Sequence, residues 1–344
     1  MWRRLLGSFL VPHCIRLEMQ LHTTSNHFYV LKKLALESKH NMAQIINGKQ
    51  MATDIQDDLR KEVQQFVAAG NRAPHLTAIL VGEDPASERY VKNKVIACKD
   101  VGLSSETIVL PAATTQEELL QLIEEKNSDD NVNGVLVQLP VPEHIDERTI
   151  CNAISVDKDV DGFNELNIGR LALDMTGIVP ATPLGIKTML ERSNISTFGR
   201  NAVVVGRSKN VSLPLAILLS SDGRNATKAL DATVTICHRF TPPKELAKYC
   251  RLADIIVVAV GKPGLITKDM VKPGACVIDV GITKVMDEAG QVKLVGDVDF
   301  DEVRQVAGHI TPVPGGVGPM TVAMLMHNTI QAAKMQARCA KRNH

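Results

Sequence analysis

Residues 203–214 read VVVGRSKNVSLP. Three valines run into Gly206, and a polar turn then runs into a helix start. A strand that ends on glycine and opens a helix delivers backbone N–H groups to a phosphate. The usual G-x-G-x-x-G is absent, and Arg207 follows the glycine directly. Around this stretch lie other near-continuous apolar runs: GVLVQLP (134–140), ATVTIC (232–237), DIIVVAVG (254–261) and ACVIDVG (275–281). Runs of this kind suit strands buried on both faces. Helical patterns separate them, so the fold class is α/β with parallel sheets covered on both sides.

The expected organisation is two α/β domains, residues 43–181 and 182–318. The second is a Rossmann-like dinucleotide-binding domain, and a helix over 319–338 packs back on the first. Local signals support the helices. QMATDIQDDLRKEVQQFVAAG ends on Gly70, and SERYVKNKVIACKDVG ends on Gly102, with Asp84 or Ser87 as its cap. Thr115 and Glu118 form a capping box ahead of a helix through Asn127. PVPGGVGPMT (312–321) is a Gly/Pro turn feeding a long helix.

Bulk composition sets the class. The chain has 344 residues, 44% hydrophobic, 22% charged and 3% aromatic, with net charge +1. A near-neutral, aromatic-poor chain offers no electrostatic or stacking basis for nucleic acid. No apolar run approaches the length of a membrane span. The seven cysteines are an odd number without a C-x-x-C, which argues against a disulfide framework or zinc site. Residues 1–42 stand apart. Arg3, Arg4, Arg16, Lys32 and Lys33 face Glu18 alone within the first thirty-three residues. That is the composition of a mitochondrial transit peptide. LLGSFLV behind two arginines leaves a secretory signal as the rival, and Met42 is an alternative start.

Several segments carry candidate chemistry. Ser87, Tyr90 and Lys94 fall at i, i+3 and i+7 and so share one helix face. Tyr-x-x-x-Lys also occurs in short-chain dehydrogenases, but there it follows the dinucleotide strand and here it precedes it. Gln138 ends a buried strand, where open α/β sheets bind ligands. DKDVDGF gathers Asp157, Asp159 and Asp161 but lacks the spaced ligands of a calcium loop, which leaves a turn with one useful carboxylate. The glycines of PVPGGVG allow a ligand to approach the backbone.

Together SERYVKNK, GVLVQLPVPEHI, DKDVDGFN, PATPLG, VVVGRSKNVSLP, VIDVGI, VGDVDF and ITPVPGGVGPMTVAML resemble the bifunctional methylenetetrahydrofolate dehydrogenase/cyclohydrolases. The resemblance spans about Gln44 to Lys334. The leader and SSDGRNATKALDATVTICHRF look most like the mitochondrial NAD-using branch. The resemblance implies oxidation of methylenetetrahydrofolate and hydrolysis of the methenyl product, with folate bound between the domains. It implies Lys94 as general acid/base, Tyr90 along the folate and Gln138 against Lys94. It places Asp161 at the pterin, and Ser87, Val137, Leu139, Pro314, Gly315, Gly316, Gly318, Pro319 and Val322 around the folate. Gly206, Arg207, Ser208, His238, Arg239, Gly281 and Ile282 would meet the dinucleotide. A homodimer is implied, and the folate substrate is expected to include polyglutamylated forms.

The cofactor has two readings. An acid at the end of the second strand marks NAD, and an arginine accommodates NADP. Here that strand ends ICHRF, so Arg207 and Arg239 alone point to NADP. The resemblance points to NAD, with the two arginines holding inorganic phosphate and Asp174 and Asp231 holding Mg2+. Ser212 stands where the family usually has glycine. Beside these stand two alternatives, an NADP-preferring enzyme of the same reaction and a folate-binding protein without catalysis.

Overall fold

The computed structural model describes residues 42–286 and 290–342. The leader expected over 1–42 lies outside the described residues except for Met42. In chain order the elements are β1 (Gln44–Ile45), α1 (Gly48–Ala68), β2 (His75–Val81), α2 (Pro85–Val101), β3 (Ser104–Leu110), α3 (Gln116–Ser128) and β4 (Gly134–Val137). There follow α4 (Glu147–Ala153), α5 (Glu165–Ala172), α6 (Ala181–Arg192), β5 (Asn201–Val205), α7 (Ser212–Ser220), β6 (Thr233–Cys237), α8 (Pro243–Leu252) and β7 (Ile255–Val258). The chain continues through β8 (Cys276–Asp279), β9 (Thr283–Met286), β10 (Val292–Val295), α9 (Phe300–Val303), β11 (His309–Ile310) and α10 (Val317–Arg342).

The caps follow the sequence signals. Asn47 accepts the Gln50 N–H at 3.0 Å and starts α1, whose Ala52, Ile55, Leu59 and Val63 are buried at helical spacing. Asp84 caps α2, and Gly102 stops it in the left-handed region at φ +89°. Thr115 and Glu118 form the expected capping box on α3.

β3-β2-β4 make a three-stranded sheet and β1-β11-β8-β7-β5-β6 a six-stranded one, both parallel throughout. The α/β class with parallel sheets is therefore as expected. Two features were not legible. Gln44 and Ile45 precede the first helix but pair with His309 and Ile310 in the far sheet. β9 and β10 form a separate antiparallel ladder.

α10 packs on α1, α2 and α6. Its Asn328 Nδ2 donates to the carbonyls of Val160 and Val179, each at 2.9 Å. The main apolar cluster runs from Leu76 and Leu136 through Met320, Met324 and Leu325 to Val204 and Val257. The two sheets thus share one core through α10. The start of α1 presses on the Gly/Pro turn, where Lys49 N–H donates to Gly315 O at 2.9 Å. A Cβ on Gly48 would overlap the Gly316 carbonyl. Gly48→Ala is therefore expected to cost about 2 kcal/mol or more, read as a lowered midpoint in urea denaturation.

Candidate active site

Tyr90 and Lys94 sit one turn apart on α2, on the face that the spacing predicted. Tyr90 is half-exposed, whereas Lys94 is buried. Lys94 Nζ donates to Gln138 Oε1 at 3.0 Å. The Gln138 amide is held in that orientation because its Nε2 donates to Leu139 O at 2.8 Å. Its backbone N–H bonds Ile79 O at 2.8 Å and extends the β4 ladder by one step. The strand end therefore aims an acceptor at the lysine.

Asp161 completes this cluster. Its carboxyl lies in the interior although the residue is partly open. Burial pushes it above the usual carboxylate range and Lys94 pulls it back. Asp159, two residues earlier, shapes the loop instead. It accepts from the N–H groups of Gly162, Phe163 and Asn164 and from Asn167 Nδ2 at 2.8–3.1 Å. Burial outweighs those bonds and pushes Asp159 up to about 6. A raised folded-state pKa contributes stability below the unfolded value of about 3.8, and this is lost as pH rises through about 6. Asp159→Asn removes that titration. The variant should lose more stability relative to the parent at about pH 4 than at about pH 7, measured by urea denaturation at both.

A cavity of about 540 Å³ opens beside this cluster. Tyr90 lines it with Pro314, Gly315, Gly316, Gly318, Pro319 and Val322, all expected at the folate. Ile282, expected at the dinucleotide, lines it too. Lys94, Gln138, Asp161, Val137, Leu139 and Ser87 are not on its wall. Ser87 is engaged in the α2 cap, where its Oγ donates to Asp84 Oδ2 at 2.8 Å. The wall also carries Lys49, Arg89 and Lys284 against Asp100 and Asp279. Nothing in the local sequence of these three cations marks them as site residues.

Asp279 ends β8 and is buried, as is Asp297. Asp279 accepts the N–H groups of Gly281, Asp297 and Val298 at 2.9–3.0 Å. Asp297 Oδ2 accepts those of Val260 and Gly261 at 2.7 and 3.0 Å. Burial raises Asp279 to about 6, against the downward pull of the Asp297, Val298 and Gly281 N–H groups. The pair fastens the ends of β7 and β8 beside the cavity and so fixes Gly281 and Ile282. A carboxylate followed by glycine at the end of a parallel strand was the available signal for it.

At the end of β5, Gly206 has φ +134°, a region open to glycine. Its N–H bonds Cys237 O at 2.8 Å. Ser208 Oγ accepts the Ser212 N–H at 3.1 Å, and Ser212 is the first residue of α7, with Val211 at the cap position. Ser212 is buried, and its φ is not among the positive ones, so serine brings no backbone strain there. The guanidinium carbons of Arg207 and Arg239 lie 5.4 and 5.1 Å from the Phe240 ring centroid. Among the described residues neither arginine has a carboxylate partner. His238 Nδ1 accepts the Phe240 N–H at 3.2 Å. Two unpaired cations on one exposed ring are a ready anion site.

Asp174 and Asp231 both hold the loop before β6, and both have φ +51°. Asp174 Oδ1 accepts from Thr227 N–H and Oγ1 at 2.8 and 2.5 Å, and Asp231 Oδ2 accepts from Gly223 N–H at 3.1 Å. Asp174 Oδ2 is covered and makes no geometric hydrogen bond among the described residues, while Thr227 and, less closely, Asn225 hold the carboxyl below its usual range. A carboxylate kept ionised with one oxygen free of a close donor fits a cation, and Mg2+ takes one or two carboxylates with water completing its shell. Among the described residues no group of three or more His, Cys, Asp or Glu is placed to hold a metal. Asp231 precedes β6 and Arg239 follows it.

Residues 46–161 match the catalytic-domain model of tetrahydrofolate dehydrogenase/cyclohydrolase, and residues 180–337 match its NAD(P)-binding-domain model. A mitochondrial bifunctional methylenetetrahydrofolate dehydrogenase/cyclohydrolase of Drosophila melanogaster is 74% identical over 297 residues, covering 86% of this chain and 96% of its own. The Homo sapiens mitochondrial bifunctional methylenetetrahydrofolate dehydrogenase/cyclohydrolase 2 is 56% identical over 291 residues, 84% of each chain. Among solved structures, a 5,10-methylenetetrahydrofolate dehydrogenase from the silkworm Bombyx mori is 56% identical. It superposes with a TM-score of 0.82 over 86% of this chain and 100% of that one. A Trypanosoma brucei dehydrogenase-cyclohydrolase solved with NADP and an inhibitor is 38% identical, with a TM-score of 0.81 over 86% and 99%. The chain belongs to the tetrahydrofolate dehydrogenase/cyclohydrolase family.

Proposed function

We propose that this chain oxidises 5,10-methylenetetrahydrofolate to the methenyl form and hydrolyses that product to 10-formyltetrahydrofolate, in the mitochondrion. The observation that carries the reading is the buried Lys94–Gln138 contact at 3.0 Å, one helical turn from Tyr90 on the cavity wall. A nicotinamide dinucleotide, when bound, supplies the hydride acceptor. Gly206, Arg207, Ser208, His238, Arg239, Gly281 and Ile282 are its proposed contacts. Tyr90 and the Pro314–Val322 turn hold the folate, and Asp161 holds the pterin. Lys94 takes the proton of the water that adds to the methenyl cation, and Gln138 keeps the amine in place. Domains over 43–181 and 182–318, the closing helix over 319–338 and a homodimer complete the proposal. The basic leader and the mitochondrial names of two relatives support the location.

The proposed cofactor is NAD, with inorganic phosphate on Arg207 and Arg239 and Mg2+ on Asp174 and Asp231. An ion there fixes the loop before β6. One observation favours a second reading, NADP: no acid stands at the end of β6, where Arg239 follows His238. Turnover with each dinucleotide, with and without phosphate and with and without Mg2+, separates the two. NAD turnover is expected to rise with phosphate, and Arg207→Ala should abolish that rise. The Mg2+ response should disappear in Asp174→Asn while the phosphate response stays. Faster NADP turnover indifferent to both ions would sink the NAD reading, and no turnover at all would leave a folate-binding protein.

A further inference from the structure

Arg148 lies on α4 and belongs to neither expected site. Its guanidinium spans two segments. One nitrogen, Nη1, donates to the Phe163 carbonyl at 2.6 Å. The other, Nη2, donates to Asn210 Oδ1 at 3.1 Å. Phe163 comes two residues after Asp161, in the loop that brings that carboxyl beside Lys94. Asn210 comes three residues after Arg207, in the turn between β5 and α7. Among the described residues, the Asn210 side chain has no other hydrogen-bond partner.

We infer that Arg148 is a positioning residue for the dehydrogenase step, a latch that sets the dinucleotide turn against the folate loop. This rests on the proposed two-step reading. Hydride transfer demands that two ligands held by different sheets meet within van der Waals reach, and small misplacements are costly. Hydrolysis has no such demand, because Lys94, Gln138 and Asp161 all lie on the folate side of the latch. Loss of Arg148 also leaves the folate loop anchored, since Asp159 Oδ1 holds the Phe163 N–H at 3.1 Å from the other side. The planar fork of arginine suits two acceptors in different segments, whereas a lysine ammonium reaches them less well together.

The test compares the full chain with Arg148→Ala, Arg148→Lys, Asn210→Ala and the Arg148→Ala/Asn210→Ala pair. Each is assayed for methylenetetrahydrofolate oxidation and for hydrolysis of supplied methenyltetrahydrofolate. In Arg148→Ala, kcat/KM for the dinucleotide should fall about tenfold or more, while hydrolysis stays within about twofold. Asn210→Ala should fall in the same direction, Arg148→Lys should recover part of the loss, and the double variant should be no worse than Arg148→Ala alone. A parallel loss of both activities, a silent Asn210→Ala, or additive effects in the double variant would overturn the latch. Should Arg148→Ala not fold, Asn210→Ala decides the matter from the other end of the bond. Absence of both activities in the parent chain would be visible before any variant and would remove the two-step reading itself.

Discussion

In Lys94→Met, hydrolysis of methenyltetrahydrofolate is expected to fall by about 10²-fold or more, the range that a positioned general base supplies. Lys94 is buried, and its Nζ donates to Gln138 Oε1. Methionine has similar length and no charge, so it fills the buried space without adding a charge. The Gln138 amide is left with its bond to Leu139 and one idle acceptor, a cost of about 1–2 kcal/mol. The variant should therefore stay folded. Asp161 loses the cation that pulls its carboxyl down, and burial then acts on it alone. Oxidation needs no base to remove a proton from water, so it should fall much less than hydrolysis. Following both steps by the absorbance of the methenyl form gives the ratio directly. Hydrolysis retained within about tenfold would remove Lys94 from the role of base.

Gly206→Ala is expected to do the reverse. Gly206 sits at φ +134°, and an added Cβ would meet Ala259 O at 2.5 Å and Ser212 Oγ at 2.6 Å. The carbonyl belongs to the chain leaving β7 and the hydroxyl to the first residue of α7, so the turn has no soft neighbour to displace. Backbone strain of about 1–3 kcal/mol adds to the overlap. The turn must shift, and it carries Arg207 and Ser208 with it. Oxidation should fall by about 10²-fold or more through loss of dinucleotide affinity, while hydrolysis of supplied methenyltetrahydrofolate persists. Dinucleotide titration and both assays, run at low temperature to keep the variant folded, check this. An unchanged dinucleotide KM would show that Gly206 does not shape that site.

Arg207 illustrates how far the sequence could be read. Its place after a strand and a glycine located the dinucleotide turn, and ICHRF located its companion. The role of Phe240 as the ring both guanidinium groups lie against required the fold, because an exposed aromatic has no signature in sequence. Ser212 is legible in sequence only as a small residue before Leu-Pro; that it opens α7 with its N–H on Ser208 Oγ required the fold.

The sequence by itself determined the elements and the identity of the chemical groups. Apolar runs, helical spacing, Gly102, Gly206 and the Thr115–Glu118 box act between neighbours a few residues apart, so their consequences are local. Only the tertiary structure decided what meets across long separations. It put Gln44 and Ile45 into the far sheet, locked Asp279 and Asp297 into each other's loops and tied Arg148 to Asn210. It also brought Asp174 and Asp231 onto the same loop before β6. Such pairings carry no periodic signal. Each depends on closing a long loop whose entropy is recovered only when the shared core around α10 is packed.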